Sequence, residues 1–230
     1  MNEHFYYLII DLASLSFPLL FSFHPSIKFY KEWKPLFLSI VITAFFFIIW
    51  DEWFTRINVW SFNHHYVTGI YLGHLPLEEL MFFILIPYCL MFMYHCSARY
   101  FVEPKKESKN LKRISLIIAL VILGIGIVNK LKWYTSFTFT ITGTVLLVLP
   151  YTDFGRRVNW KRFAIVYLLG LLPFFIVNGL LTSIPIVLYN NQENLSLRIS
   201  TIPVEDLVYN LLLFTGNVTL YEYFRKTKIT

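Results

Sequence analysis

Apolar residues run along this chain in long unbroken stretches, with charge and proline gathered at their borders. The stretches lie near 5–23, 36–53, 77–96, 114–130, 134–151, 163–181 and 204–224. Each approaches the roughly 20 residues that a helix needs to cross about 30 Å of hydrocarbon. A membrane barrel would show shorter segments alternating in polarity. The pattern therefore predicts an all-α, polytopic membrane protein with seven transmembrane helices. The first stretch has no basic residue ahead of it and ends at Phe23-His24-Pro25 without a small-residue cleavage pattern, so it reads as a helix and not as a signal peptide.

Self-comparison adds an internal repeat. An offset of 127 pairs Pro76-Leu77-Glu78-Glu79-Leu80 with Pro203-Val204-Glu205-Asp206-Leu207 and Asp51 with Asn178. Without a gap it also pairs Tyr7 with Tyr134, Phe62-Asn63 with Tyr189-Asn190, and Tyr94 with Tyr221. Helices 1 to 3 thus return as helices 5 to 7. The expected divisions are 1–96 for the first three-helix unit, 97–133 for a basic cytoplasmic loop and linking helix, and 134–230 for the second unit. A fourth helix restores parity, so both units run in the same direction (3+1+3), an arrangement that commonly places a site at the interface of the repeats.

Charge settles orientation. The net charge of +6 would suggest a nucleic-acid partner in a soluble protein, but sixteen of the 20 Lys and Arg fall in 24–35, 97–113, 152–162 and the C-terminal tail. By the positive-inside rule the N-terminus is outside and the C-terminus cytoplasmic, in a bacterial inner membrane. Composition agrees, with 57% hydrophobic, 19% aromatic and only 15% charged residues. The two cysteines, Cys89 and Cys96, share one predicted helix and offer no disulfide framework.

Acids carry the candidate chemistry. Glu78-Glu79 and Glu205-Asp206 each follow a proline at the outer start of a helix, Asp51 and Glu52 end helix 2 on the same side, and Asp11 lies about two turns inside helix 1. Proline in the first turn and acids near a helix N-terminus are ordinary capping, each acid gaining about 0.3–1 kcal/mol. Capping explains less well two adjacent carboxyls in both copies. Ionisable groups inside a bilayer cost roughly 2.5–3.5 kcal/mol on insertion scales and mark function. Neighbouring carboxyls in an apolar setting disfavour the doubly charged state, leaving one as a proton donor. Trp50, Trp53, Trp60, Phe62, Tyr66, Tyr189 and Tyr209 surround them in the sequence. Such rings form an interfacial belt or, in a dry site, stabilise a cation. His64, His65 and His74 could be imagined as a metal site beside Glu78 and Glu79, but the second unit has Asn191, Gln192 and Thr201 there, and no H-E-x-x-H spacing exists. Arg198, the lone cation of its loop, either pairs with Glu205 or Asp206 or faces solvent; the pairing is expected.

These residues resemble a known family. Trp50-Asp51, Val59-Trp60-x-Phe62-Asn63 and Leu75-Pro76-Leu77-Glu78-Glu79-x-x-Phe82-Phe83 resemble the first half of the small membrane lycopene cyclases of the heterodimeric carotenoid type. Pro173-Phe174-x-x-Val177-Asn178-Gly179, Tyr189-Asn190 and Arg198-Ile199-x-Thr201-Ile202-Pro203-Val204-Glu205-Asp206-x-x-Tyr209 are similar to the partner subunit. The whole is similar to the fused form and to the cyclase domain of fungal bifunctional enzymes. It departs at His95, where members often carry Glu after Tyr, although Tyr221-Glu222 keeps that pair.

The resemblance implies non-redox closure of the ψ ends of lycopene into β-ionone rings, through γ-carotene to β-carotene. It implies Glu78 or Glu205 as proton donor, helped by Glu79 or Asp206. Asp51, Trp60, Phe62, Asn63, Asn178, Tyr189, Asn190, Arg198 and Tyr209 would bind or orient the substrate. No cofactor is expected, because the nine glycines are scattered and form no dinucleotide fingerprint. The implied partners are lycopene and the lipid bilayer, with no nucleic acid. A 3+1+3 transporter of a small solute is the rival, and acids clustered at one end of the bundle speak against it.

Overall fold

A computed structural model describes residues 3–100 and 109–226. Seven α-helices dominate them: α1 (Tyr6–Ser22), α2 (Trp33–Arg56), α3 (Leu77–Ser97), α4 (Lys109–Val128), α5 (Trp133–Val148), α6 (Trp160–Ser183) and α7 (Val204–Lys226). The loop after α2 contributes strands β1 (Trp60–Phe62), β2 (Tyr71–Leu72) and β3 (Leu75–Pro76), and the loop after α6 contributes β4 (Val187–Tyr189), β5 (Arg198–Ile199) and β6 (Ile202–Pro203). Most of the linker expected over 97–113 lies outside the described residues.

The element bounds recur at the offset found in the sequence. α2 maps residue for residue onto α6, and β1, β2 and β3 onto β4, β5 and β6. β1 and β4 then pair with each other, antiparallel, as Trp60↔Tyr189, Ser61↔Leu188 and Phe62↔Val187. Ser61 and Leu188 are offset partners, so this register maps onto itself when the two halves exchange. The flanking bonds follow suit, since Asn63 N–H donates to Ile186 O at 2.8 Å and Asn190 N–H to Val59 O at 3.0 Å. The ribbon satisfies backbone groups that would otherwise be stranded at the end of the bundle.

Four segments among the described residues are long and apolar enough to cross a bilayer: Glu3–Ser22, Phe29–Arg56, Leu77–Ser97 and Trp160–Ser183. α5 has only 16 residues. α7 is the more polar helix, and its Asn210, Asn217 and Glu222 are all buried. The distribution is inverted relative to a water-soluble bundle. Phe17, Leu20, Phe46 and Leu172 stand exposed on the outer surface, while Asp11, Asp51, Glu79, Thr138, Thr142 and Asp206 are inside. Apolar exteriors cost nothing in lipid, where polar groups must find partners within the protein.

Packing is closest where side chains vanish. α4 lies along α5, and a Cβ on Gly143 would sit 2.7 Å from Leu123 N, one on Gly126 2.7 Å from Thr140 N. α2 packs on α7 and α1 on α3, so that helices of both halves wall one interior.

At the opposite end from the ribbon, Arg162 of α6 donates to Glu222 of α7 at 2.5 Å and lies over the ring of Tyr94 of α3, 3.8 Å from its centroid. Tyr94 also donates to Glu222, at 3.1 Å. His95, the offset partner of Glu222, instead meets Ile27 O at 3.1 Å. The departure at position 95 thus removes an acid where no arginine stands opposite, for Pro35 holds the offset position of Arg162.

Candidate active site

The two Pro-led helix starts face a shared chamber. Proline fits there because the first helical turn needs no N–H from it, and its extended backbone (Pro76 φ −66°, ψ 153°) delivers β3 directly into α3. The acids of the first turn then point inward. They divide into two equivalent pairs with different tasks.

Glu78 and Glu205 hold the loops. Thr68 N–H donates to Glu78 Oε1 at 2.7 Å, and Leu195 N–H, the offset partner, to Glu205 Oε1 at 2.7 Å. Thr135 Oγ1 adds a bond to Glu205 at 2.6 Å. Neither side chain lines the chamber. Each thus commits Oε1 to a backbone donor ten residues upstream and keeps Oε2 buried without a hydrogen-bond partner.

Glu79 and Asp206 face the chamber. Tyr7 Oη donates to Glu79 Oε2 at 2.5 Å, and Tyr134 Oη donates to Asp206 Oδ1 at 2.5 Å. Asp206 has a second phenol, since Tyr189 Oη donates to Oδ2 at 2.8 Å. Burial first, and then the Asp206 carboxylate beside it, push the Tyr189 hydroxyl well above its ordinary value. Tyr189 therefore remains a donor throughout the physiological range.

The chamber encloses about 770 Å³ between α1, α3, α6 and α7. That is ample for a lipophilic ligand, where pockets run roughly 300–1,000 Å³. Its walls are aliphatic and aromatic, from Ile10, Phe17, Phe82, Phe174 and Leu213 among others, and its polar end gathers Asp51, Glu79 and Asp206. Trp60, Tyr134 and Tyr209 close that end, with Trp60 and Tyr134 rings 5.0 Å apart and Trp60 and Tyr209 rings 6.1 Å apart. Tyr209 Oη, Trp60 Nε1 and Asp51 Oδ2 are buried without a hydrogen-bond partner. A polar group left unpaired in a dry site is costly, and such groups stand ready for a ligand.

Of the residues singled out in the sequence, Asp51, Trp60, Phe62, Glu79, Asn178, Tyr189, Asp206 and Tyr209 line the chamber. Others do not. Asn63 accepts from His65 N–H at 3.1 Å and Asn190 from Gln192 N–H at 3.0 Å, the same turn built twice. Arg198 pairs with neither Glu205 nor Asp206. Its guanidinium sits on the exposed β5 hairpin and donates to Thr201 O at 2.7 Å and Asn191 Oδ1 at 2.8 Å, because the acids are already met by phenols and loop N–H groups beneath it. His74 bonds Glu52 at 2.6 Å and His64 bonds Tyr71 at 2.6 Å, while His65 pairs with Glu3. These histidines are thus tied to the loop surface, away from Glu78 and Glu79. Gly73 between them has φ 64°, and a Cβ there would strike the Glu52 carboxylate at 2.8 Å.

Tyr7 and Tyr134 were not among the expected site residues. Their signal lay in the repeat itself, as an identical pair at the common offset whose partners 72 residues on are Glu79 and Asp206.

Comparison with known proteins is consistent with this duplicated site. A family model described as lycopene cyclase matches residues 4–97 and again 131–224. A bifunctional lycopene cyclase/phytoene synthase of Colletotrichum graminicola is 33% identical over 138 residues, 49% of this chain and 24% of that protein. Proteins of the same description from Podospora anserina (24% over 140 residues, 50% of the chain and 24% of that protein) and Phaeosphaeria nodorum (40% over 62 residues, 26% and 10%) also match. The chain spans about a quarter of the length of the first two relatives. No solved structure matches it significantly.

Proposed function

The chain belongs to the lycopene cyclase family, and on that premise we propose that it closes the ψ ends of lycopene into β-ionone rings, by way of γ-carotene to β-carotene. The observation that carries this reading is the meeting of Glu79, Asp51 and Asp206 at the end of one apolar, aromatic-walled chamber. Cyclisation needs an acid strong enough to protonate an alkene, a dry cavity in which the resulting cation is not captured by water, and a base for the ring proton. The chamber's apolar walls and buried carboxyls support each requirement. A carboxyl in apolar surroundings donates the proton to the terminal double bond. The neighbouring alkene then attacks the cation to close the ring, and the faces of Trp60 and Tyr209 stabilise the charge. A second carboxyl removes a ring proton, so no electrons are gained or lost.

The chain would lie in the bilayer as seven spans, three plus one plus three, with the acid end outside and the Arg162–Glu222 end cytoplasmic. The inverted surface, apolar outside and polar within, supports a membrane setting. The relatives compared are fungal, and they lend no support to a bacterial inner membrane in particular. In a lycopene-accumulating host, expression should convert the pigment to cyclic carotenes, read by absorbance and chromatography. Glu79→Gln should abolish conversion while leaving the protein in the membrane. Unchanged lycopene with well-folded parent protein, or full conversion by the Gln variant, would refute the proposal.

A further inference from the structure

Among the places where the two halves differ at the chamber, one hydroxyl changes the hydrogen bonding of its acids. Offset partners Tyr7 and Tyr134 donate to offset partners Glu79 and Asp206 with the same length, 2.5 Å. Tyr189 adds a donor to Asp206 at 2.8 Å, but its own offset partner is Phe62, which lines the chamber with no hydroxyl to offer. Asp206 therefore has both oxygens engaged as acceptors. Glu79 has only Oε2 engaged, and Oε1 makes no hydrogen bond among the described residues.

Resting on the cyclase reading above, we propose that the acids divide the reaction: Glu79 delivers the initiating proton from Oε1, and Asp206, held as the carboxylate by Tyr134 and Tyr189, faces the ring cation and takes the departing proton.

The argument is one of hydrogen-bond supply. Phenol donors stabilise a carboxylate and have nothing to gain from a protonated acid, whose O–H must find an acceptor of its own. At Asp206 a resting proton on either oxygen would displace or reverse one phenol bond, Tyr134 at Oδ1 or Tyr189 at Oδ2, so the two donors favour the carboxylate until the ring proton arrives. At Glu79, whose side chain lines the chamber, the open oxygen can carry the resting proton. The cycle balances. The bond from Glu79 oxygen to hydrogen breaks as a carbon–hydrogen bond forms at the terminal double bond, attack by the internal alkene closes the ring and leaves the cation on that alkene's far carbon, and a ring carbon–hydrogen bond next to the cation breaks as Asp206 gains the proton. One proton has passed from Glu79 to Asp206. The proton returns from Asp206 to Glu79 before the next turnover, and Asp51 is a third carboxyl buried in the same wall. Tyr189 is a positioning residue in this scheme, acting through Asp206.

The test uses the full chain reconstituted in lipid vesicles with lycopene. Infrared difference spectra between parent and variants read protonated carboxyl groups directly, with Asp11 and Asp51 cancelling. The carbonyl stretch of a protonated acid should be lost in Glu79→Gln and kept in Asp206→Asn. Tyr189→Phe, which keeps the ring, should lower kcat roughly tenfold to a hundredfold with KM within about twofold, and a second protonated-acid band should appear as Asp206 takes up a proton. A purely structural tyrosine would move neither the band nor kcat alone. The proposal is overturned if the band disappears in Asp206→Asn and persists in Glu79→Gln, or if Tyr189→Phe matches the parent in spectrum and kcat. A parent protein that leaves lycopene open would overturn the cyclase reading instead, and this division of labour with it.

Discussion

Replacing Arg162 by Met tests whether one buried ion pair ties the far end of the bundle together. The Arg162 side chain is 6% exposed and that of Glu222 2%, with 2.5 Å between them. Removing one member of such a pair typically costs about 3–5 kcal/mol, because the other charge is left behind without its solvent or its partner. Two local features decide where in that range the variant falls. Arg225 stays 3.1 Å from the other Glu222 oxygen, and Tyr94 still donates to the first. Both soften the loss, while the stacked guanidinium over Tyr94 is forfeited. The expected cost is therefore near the lower bound, about 3 kcal/mol. At about 2–4 °C per kcal/mol for a chain of this size, the melting midpoint should fall by about 6–12 °C. Thermal unfolding of purified protein in detergent micelles measures it. Adding Glu222→Gln to the Met variant should recover part of the loss, since the orphaned charge goes with it. Arg225→Ala alone should cost about 1 kcal/mol or less, because that side chain is one-third exposed and solvent screens it. A Met variant that melts with the parent, or an Arg225 variant that falls as far, would refute the assignment of the buried pair as the tie.

Gly143→Ala should destabilise the α4–α5 contact by about 1–3 kcal/mol, since the new methyl meets backbone at 2.7–2.8 Å; a midpoint equal to the parent's would show that the helices can part freely. Glu205→Ala should act through the fold, costing about 1–3 kcal/mol by stranding Leu195 N–H and Thr135 Oγ1. Hydrogen exchange at Leu195 should rise in that variant, and unaltered protection would contradict the loop-anchoring role.

Much of the architecture follows from sequence alone. Apolar run lengths place the helices within a few residues, because long unbroken apolar stretches bounded by charge and proline favour helix. The 127-residue offset was visible in Pro76 and Pro203 and in the acids behind them, and it even contained the Tyr7–Tyr134 pair. What sequence could not assign was the work of adjacent carboxyls. Glu78 and Glu79 are neighbours in the chain and look interchangeable there, yet successive residues on a helix diverge by about 100°, so one meets a loop N–H and the other the chamber. Nor could it separate Arg198 from the acids nearby in sequence, since only the hairpin's place on the surface keeps them apart. The antiparallel pairing of β1 with β4 likewise depends on long-range contact between loops. Composition and periodicity predicted the apolar helices, and self-comparison the offset at which element bounds recur, which are properties of the chain alone. Which oxygen faces the cavity, and which acid is met by one phenol or two, was decided only when seven helices packed and spent their donors on one another.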